Sequence, residues 1–369
     1  MHRAALLPLL ASLGTIAAAA PAATDADIIV NSFQLYPENA DYDDTRKLLY
    51  FGYGSRLTRH VWCNNTDPYS ALYNSSVATY SPSKNTIEKI TEFPPLTNDT
   101  FYHASGVKVD PFNDRLSVIV NPGAAWTTGG ANISGDTWLI KLDLKTGLEL
   151  WRSNLTTALN GKYGGYQDVA HDAAGNSYVI GTFPGSILKV DPSGKKITPW
   201  FVSEETNTTV TGFTGIVYLG TKFLTTYGQN GQLQRWDSCQ GQDKLTPVPI
   251  GTTDTPPTTD AVLQNIEAIT LPKKYEGKVL LVASNSKGVY VLRSKDGSWD
   301  SAENLGEIPN KYGKSGGVVV TTVQVEDRLY AVLEYFDDIK NPVPETVAGN
   351  RTEFPLQDIT SAVEELLQK

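Results

Sequence analysis

Residues 166–200 carry the strand pattern that most restricts how this chain can fold. Four strand-like segments follow one another there, QDVAHD, NSYVIG, SILKVD and KKITPW, and Gly, Pro, Asp and Asn fill the joins. Gly permits positive φ, Pro fixes φ at about −65°, and Asp and Asn bond to their own backbone, so each join is a turn. Four antiparallel strands in about 35 residues, with no helical period, predict one blade of a β-propeller.

The same unit recurs along the chain. Six apolar segments have the character of a blade's second strand: LLYFG at Leu48, LSVIV at Leu116, SYVIG at Ser177, KFLTTY at Lys222, VLLVAS at Val279 and LYAVLE at Leu329. Hairpin-like pairs follow the first five segments. The sixth lacks such a pair, and we expect EFPLQDI (353–359) and the strand around Ile28 to complete it.

These segments predict an all-β chain that forms a six-bladed β-propeller with four-stranded antiparallel blades. The N- and C-terminal segments share one blade and close the ring, which removes exposed sheet edges. A sandwich would need only about seven to nine strands, far fewer than are present here. The tail, 358–367, has the only helical pattern.

The first 23 residues have the pattern of a secretory signal peptide, which leaves 24–369 as a single propeller domain. A short basic start precedes an apolar core, and small residues offer cleavage sites. Seven N-x-[ST] sequons favour an N-glycosylated protein that is secreted or lies in the secretory-pathway lumen. They are Asn64, Asn74, Asn98, Asn132, Asn154, Asn207 and Asn350.

Charge and cysteine content narrow the possible partners. Lys and Arg number 31 against 40 for Asp and Glu, giving a net charge of −9. With no basic run, the chain is not expected to bind nucleic acid, and no later apolar run is long enough to predict a transmembrane segment. Cys63 and Cys239 fall on the first and fourth blades, across the ring, so whether they form a disulfide stays open.

Familiar catalytic motifs are not satisfied. The sequence GKSGG at 313–317 matches G-x-S-x-G, but a β-rich segment follows where a nucleophile elbow needs a helix. No histidine pair has metal-ligand spacing. A propeller axis can collect carboxylates and amides around Ca²⁺, and the candidates here are Asp168, Glu267, Asn285 and Asp337. The signatures of gluconolactonase-type propellers are missing, so no metal and no cofactor is expected.

Residues at the strand ends that face the channel mouth form the candidate site. Those near the first strands are Tyr102, His103, Tyr166, Gln167, Phe213, Thr214, Asn265 and Glu267, and those after the second strands are Trp126, Phe183, Tyr227, Asn285, Tyr335 and Phe336. Aromatic walls with a few hydrogen-bonding groups are typical of pockets for small apolar molecules. The alternative is that many of these aromatics only pack between blades. Insertions at 54–74 and 121–133 are either lids over this mouth or surface loops.

Several segments resemble one family of fungal proteins. They are 36–52, 104–120, 172–181, 212–218, 266–272 and 335–359. The segments are similar to secreted six-bladed propellers that include the Malassezia propeller allergen, the trichothecene-cluster propeller protein and the hetero-Diels–Alderases of tropolone–sesquiterpene pathways. The resemblance implies the fold, but it carries over no catalytic residue, because one fold hosts many functions. The insertion at 54–74 departs from the allergen-like pattern.

The resemblance implies an enzyme that joins a quinone-methide-type polyketide to a terpene without a cofactor. Such a cycloaddition needs two apolar partners in near-attack geometry and a hydrogen-bond donor. The expected catalytic donors are His103, Gln167, Tyr102 and Tyr227. The expected substrate contacts are Trp126, Tyr166, Phe183, Phe213, Glu267, Asn285, Tyr335 and Phe336. A secreted propeller that binds a lipid or toxin without turnover, and a metal-dependent lactonase, remain alternatives. The sequence leaves the oligomeric state open.

Overall fold

Six small, mainly antiparallel sheets stand in a ring around a common axis. They are seen in a computed structural model that describes residues 26–53, 75–238, 245–260, 262–344, 346 and 348–369. The predicted signal peptide, the insertion at 54–74 with Asn64 and Asn74, and both cysteines lie outside the described residues. In the part that is described, no helix has both the length and the apolar character needed to cross a membrane.

Each blade is built from strands that are consecutive in the chain, except the last. Blade one contains β2 (Pro37–Asp43), β3 (Leu48–Tyr53), β4 (Ser76–Ser81) and β5 (Thr86–Glu92). Blade two contains β6 (Tyr102–Asp110), β7 (Arg115–Pro122), β8 (Trp138–Asp143) and β9 (Glu149–Asn154). Blade three contains β10 (Gly164–His171), β11 (Ser177–Phe183), β12 (Ser186–Val190) and β13 (Ile197–Val202).

The remaining blades follow the same plan. Blade four contains β14 (Phe213–Leu219), β15 (Lys222–Tyr227), β16 (Gln232–Asp237) and β17 (Thr246–Pro247). Blade five contains β18 (Ile250–Gly251), β19 (Ile266–Thr270), β20 (Val279–Ser284), β21 (Gly288–Arg293) and β22 (Ala302–Ile308). Blade six contains β23 (Val318–Val325), β24 (Arg328–Glu334), β25 (Glu353–Asp358) and β1 (Ile28–Asn31).

The ring closes as the sequence predicted. Strand β1 is the outermost strand of blade six and pairs antiparallel with β25, with Ile28 opposite Leu356 and Val30 opposite Phe354. The first strands of neighbouring blades pack against one another around the axis, and β2 of blade one packs against β23 of blade six. The two chain ends therefore fasten the first and last blades together, which confirms the predicted six-bladed propeller.

Burial explains why the second strands were easy to recognise. Every residue of β11 and of β20 is buried, because blades pack on both faces of these strands. Continuous apolar runs are typical of strands covered on both faces. The outer strand β5 is mostly exposed and has the polar sequence TIEKITE. The core is accordingly a series of apolar layers between adjacent blades.

Three local predictions need correction. The hairpin-like pair expected after the fourth segment is interrupted, because Thr246–Pro247 pairs with β16 whereas Ile250–Gly251 pairs in parallel with β22 of blade five. The tail helix, α2 (Thr360–Leu367), begins two residues later than predicted. Helical turns also occur in the loops: α1 (Ala124–Thr127) and the 3-10 turns Thr156–Leu159, Lys273–Tyr275, Gly313–Ser315 and Phe336–Lys340.

Every innermost strand carries a β-bulge toward its N-terminal end. A bulge leaves a residue out of the ladder and re-aims its side chain. Six bulges at equivalent positions place re-aimed side chains at one end of the axis. The pairing register shifts between Pro37 and Ala40, Ala104 and Val107, Tyr166 and Asp168, Phe213 and Gly215, Ile266 and Ile269, and Val319 and Thr321.

Candidate functional site

A cavity of about 390 Å³ opens on the axis at the level of the six bulges. Each blade contributes at least one residue from its bulge to the cavity wall. These residues are Glu38, Asn39, Ser105, Gln167, Thr214, Glu267, Ala268 and Val320. The polar part of the site is therefore a product of the bulges, not of the regular strand pairing.

Aromatic side chains from two loops and one strand end form an apolar wall of the cavity. Trp126 comes from α1, within the predicted insertion, and its ring meets Phe183 edge-on with centroids 5.2 Å apart. Phe336 begins a 3-10 turn after β24 and is 36% exposed. Phe183 fits closely against Gly165, which has φ of +60° and where a Cβ would lie 2.5 Å from the ring. Glycine is required there both by the positive φ and by the close approach.

A chain of hydrogen bonds crosses the floor of the cavity. Gln167 of blade three donates from Nε2 to Glu267 Oε2 of blade five at 2.7 Å. Asn285 donates from Nδ2 to the other carboxyl oxygen of Glu267, also at 2.7 Å. Thr182 donates to Gln167 Oε1 at 3.0 Å and thereby fixes the orientation of that amide. The Glu267 carboxyl group is consequently held in one position between two amides.

The protonation of Glu267 reflects opposing influences. Burial raises its pKa to about 7, although the hydrogen bonds from Asn285 and Gln167 act to lower it. A carboxyl group with that pKa is partly protonated near neutral pH. It can then donate a hydrogen bond or a proton to a molecule in the cavity.

Glu38 lies near two other carboxyl groups, those of Glu267 and Glu334. Burial, followed by the charges of Glu334 and Glu267, holds the pKa of Glu38 well above its usual range. Burial raises the pKa of Glu334 to about 8, and the backbone N–H of Tyr335 only partly opposes this. Among the described residues no side chain donates a hydrogen bond to Glu334. Like charges at close quarters disfavour joint ionisation, so repulsion from Glu334 and Glu267 adds to burial in favouring the protonated form of Glu38.

His103 lies beside these carboxyl groups but carries no positive charge that could pair with them. Its Nε2 is 3.7 Å from Glu38 Oε2, and its ring lies 6.1 Å from that of Trp126. The side chain is fully buried, and burial lowers its pKa to about 3. His103 is therefore neutral, and the contact with Glu38 is not an ion pair. Within the described residues neither ring nitrogen has a hydrogen-bond partner.

The cavity brings together six of the residues predicted from the sequence. Trp126, Gln167, Phe183, Glu267 and Phe336 line it. Thr214, which was named with them, lines it as well, and Asn285 reaches it through Glu267.

The other predicted site residues do not line the cavity. Tyr166, Phe213 and Tyr335 are buried between blades, and Tyr227 packs edge-on against Phe213. Tyr102 packs against Phe101, outside the mouth, and His103 lies behind the wall. For Tyr166 and Phe213 the physical reason is the bulge: alternate residues of a strand point to opposite faces, so the residue next to a bulged one points into the blade packing.

The four residues considered for Ca²⁺ are not gathered in one place. The Asp168 carboxylate accepts hydrogen bonds from the backbone N–H groups of Val169 and Ile216, and Asp337 pairs with Lys340 at 2.8 Å. In the described ranges, no group of three or more His, Cys, Asp or Glu side chains is arranged to hold a metal ion.

Sequence reasoning missed Glu38, Ser105, Val320 and Ile339 as cavity residues and Glu334 beside them. A signal was available for Glu38, because it stands near the start of the first strand of blade one, as Glu267 does in blade five. Nothing in the local sequence distinguishes Ser105 or Val320 from an ordinary strand residue.

The sequon asparagines of the described ranges lie at the surface. Asn98, Asn132, Asn207 and Asn350 are exposed, and Asn154 is half-buried. A surface position does not test whether these asparagines are glycosylated, so glycosylation stays a prediction.

Comparison with known proteins places the chain among related propellers. The profile of the Mal s 1 allergenic protein-like family matches residues 132–306. Trichothecene biosynthesis protein 14 of Trichoderma arundinaceum is 32% identical over 357 residues, covering 92% of this chain and 90% of the relative. Core trichothecene cluster protein 14 of Fusarium sporotrichioides is 32% identical over 315 residues, covering 80% and 79%. The crystal structure of the Malassezia sympodialis allergen Mala s 1 superposes with a TM-score of 0.70 at 20% identity, covering 90% of this chain and 95% of the allergen, a likeness of fold.

Proposed function

The chain belongs to the family that contains the trichothecene cluster proteins 14 and the Mal s 1-like propellers, and from this we propose that it serves fungal secondary metabolism by binding an apolar small molecule in its axial cavity. The finer proposal is catalytic. The protein joins a quinone-methide-type polyketide to a terpene by a hetero-Diels–Alder reaction, and it uses no cofactor. The predicted leader and sequons extend the proposal to a protein of the secretory pathway.

One observation carries the catalytic proposal. A carboxyl group with a pKa raised to about 7, that of Glu267, is held by two amides on the floor of a cavity with aromatic walls. A neutral carboxylic acid in an apolar site is a strong hydrogen-bond donor to a developing oxyanion.

Besides a hydrogen-bond donor, the reaction needs only groups that position the two partners. In the cycloaddition, a carbon–carbon and a carbon–oxygen bond form while π bonds are consumed, and nothing is released. Glu267 donates a hydrogen bond to the oxygen of the heterodiene and draws electron density from it. Gln167 and Asn285 keep the carboxyl group in place. Trp126, Phe183 and Phe336 hold the reacting faces together and exclude water, which replaces part of the entropic barrier.

Binding without turnover is the second candidate function, and the size of the cavity favours it. At about 390 Å³ the cavity is near the lower end of the range for small-molecule pockets, which suits a single ligand such as a lipid or toxin. In that case the protonated carboxyl groups only hydrogen-bond the ligand.

A turnover assay distinguishes the two. Purified protein is incubated with a quinone-methide precursor and a macrocyclic terpene, and adducts are separated by chiral chromatography. We expect faster adduct formation with one stereoisomer dominant, and a rate about 100- to 1,000-fold lower for Glu267→Gln, which keeps the shape of the side chain but cannot supply the acid. Exposed Glu365→Gln is the matched control.

An adduct whose yield and stereochemistry match the protein-free mixture would refute the enzyme proposal. Loss of activity with a chelator would instead support the metal-dependent alternative. Recovery of an unchanged, stoichiometric ligand from the native host, by native mass spectrometry, would support binding alone.

A further inference from the structure

We propose that the axial cavity also binds a further class of ligand, apolar molecules that carry a protonated amine, and that the Glu38 carboxylate receives the ammonium group. The inference goes beyond the proposed function and does not depend on it, because it concerns the charge that the cavity accepts and not a reaction. The ligand is identified by its chemistry: an apolar body that packs against the aromatic wall and one cationic nitrogen.

The charged groups that line the cavity are both acidic. Glu38 stands at the bulge of β2 in blade one, and Glu267 stands at the bulge of β19 in blade five. The described lining contains no Lys, Arg or His, and its other polar side chains are hydroxyls and amides. An anionic ligand would meet two carboxyl groups and no counter-ion, whereas a cationic ligand supplies the charge that the lining lacks.

Glu38 is the carboxyl group with room for such a partner. Both oxygens of Glu267 already accept amide hydrogen bonds, from Gln167 and Asn285. Glu38 receives no hydrogen bond from the described residues, since the 3.7 Å between its Oε2 and His103 Nε2 is too long for one. The Glu38 side chain also keeps 16% of its surface accessible, so a ligand in the cavity can touch it.

The surroundings of Glu38 add negative charge and no cation. Glu334 is 1% exposed, accepts no hydrogen bond from a described side chain, and its charge acts on Glu38. Arg351, whose charge acts on Glu334, is itself paired with Asp338 at 2.6 Å. His103 is neutral, because burial lowers its pKa to about 3. The neighbours that the structure describes therefore leave the Glu38 carboxylate without a counter-ion, which a bound ammonium group can provide.

The aromatic wall suits the rest of such a ligand. Trp126, Phe183 and Phe336 line the same cavity as Glu38. Aromatic rings pack against apolar groups, and their faces attract cations within about 6 Å of the ring centre. His103 lies between the two parts of the site, with its ring 6.1 Å from that of Trp126 and its Nε2 3.7 Å from Glu38. A ligand can thus place its nitrogen at Glu38 and its apolar body against the wall.

Binding of an ammonium group should release protons from the cavity. Burial and the charges of Glu334 and Glu267 hold the pKa of Glu38 well above its usual range, and burial raises the pKa of Glu267 to about 7. A cation favours the charged form of a neighbouring carboxyl group, so an amine binds best after the proton has left. The affinity for an amine should therefore rise between about pH 5 and pH 8, a range in which the amine itself stays protonated.

The test compares three probes that share an apolar body and differ in charge. They are 2-phenylethylamine, 2-phenylethanol and phenylacetate, and each is titrated calorimetrically into the purified protein at about pH 7.5. We expect the dissociation constant of the amine to be at least about 10-fold lower than that of the alcohol, and phenylacetate to bind most weakly. Titrations at about pH 6, in two buffers of different ionisation enthalpy, should show proton release with the amine and none with the alcohol.

Variants then assign the preference to Glu38. Glu38→Gln should weaken the amine at least about 10-fold and leave the alcohol within about 3-fold, and intact alcohol binding shows that the variant folds with its cavity. Glu38→Asp keeps the charge and should retain part of the preference for the amine. Trp126→Ala should weaken both probes, because both pack against the aromatic wall. The exposed Glu365→Gln is the matched control and should bind all three probes as the wild type does.

The outcomes separate this inference from the proposed function. Equal affinities for the amine and the alcohol, tighter binding of phenylacetate, or an amine affinity that Glu38→Gln leaves unchanged would overturn the inference. Absence of amine binding with intact binding of the neutral terpene alcohol farnesol would overturn it as well and leave the proposed function standing. A preference for the amine that depends on Glu38 supports the inference even where the turnover assay gives only the products of the protein-free mixture.

Discussion

At the scale of single residues, the site combines an aromatic wall with buried carboxyl groups whose pKa values are raised. Burial raises the pKa of Glu267 to about 7, in spite of two amide donors that favour its charged form. Burial also raises the pKa of Glu334. Burial together with the charges of Glu334 and Glu267 raises the pKa of Glu38. Among the described residues near these carboxyl groups, His103 has the only titratable imidazole, and burial keeps it neutral. Near neutral pH the partly protonated Glu267 can therefore donate a hydrogen bond into the cavity.

Trp126→Ala should weaken the binding of an apolar ligand such as farnesol at least 10-fold, because the indole covers one side of the cavity and packs against Phe183. Loss of a large buried aromatic contact at a binding site commonly costs about 2 kcal/mol or more. Calorimetric titration measures the change. Trp151→Ala, on outer strand β9, is the control and should bind as the wild type does. Equal affinities for the two variants would show that the ligand binds elsewhere.

Glu334→Gln should change how stability depends on pH. The pKa of Glu334 is 4.5 in the unfolded chain and about 8 in the folded one, so only the folded state retains the proton between these values. The free energy of unfolding of the wild type therefore falls as pH rises from 4.5 to about 8. The variant lacks this loss, and its stability relative to the wild type should increase over that window by on the order of a few kcal/mol.

Urea unfolding at pH values across this window measures the effect. The exposed Glu365→Gln serves as the control and should follow the wild type throughout. Parallel pH curves for the wild type and Glu334→Gln would mean that this carboxyl group ionises in the folded protein as freely as in the unfolded chain.

At the scale of elements, the bulges separate what the sequence predicts from what it does not. The second strands were predictable because burial on both faces leaves a continuous apolar run, as in SYVIG and VLLVAS. The bulges were not predictable, because the sequence around Gln167, YQDVAH, looks like that of a regularly paired strand. For that reason Tyr166 was predicted beside Gln167, although they point to different sides, and Tyr102 and His103 were predicted in place of Ser105.

The pairing of β1 with β25 gives the second prediction at this scale. Leu356 is fully buried opposite Ile28 at the seam that joins the chain ends. Leu356→Ala should reduce the free energy of unfolding by about 2–5 kcal/mol, because it removes buried methyl groups and leaves a cavity. Leu148→Ala changes a leucine that is 66% exposed and should shift stability by less than about 0.5 kcal/mol. Similar urea midpoints for both variants would show that the seam contributes little.

At the scale of the whole molecule, the ring gathers side chains that are far apart in the chain. Gln167 and Glu267 are one hundred positions apart and meet across the floor of one cavity. The number of blades and the closure by both ends were predictable, because each depends on local strand patterns. The contacts across the axis were not predictable, because each of them depends on the bulges of several blades at once. The proposed functional unit is therefore the cavity and not any single blade.

The most direct test of the account is the pH dependence of the turnover rate constant with saturating substrates. If the protonated carboxyl group of Glu267 activates the substrate, the rate should be highest at acidic pH and should fall as pH rises through about 7, where the proton is lost. Glu267→Gln should be slow and should lack that step. A wild-type rate that is constant between about pH 5 and pH 9, or a Glu267→Gln variant as fast as the wild type, would contradict the account.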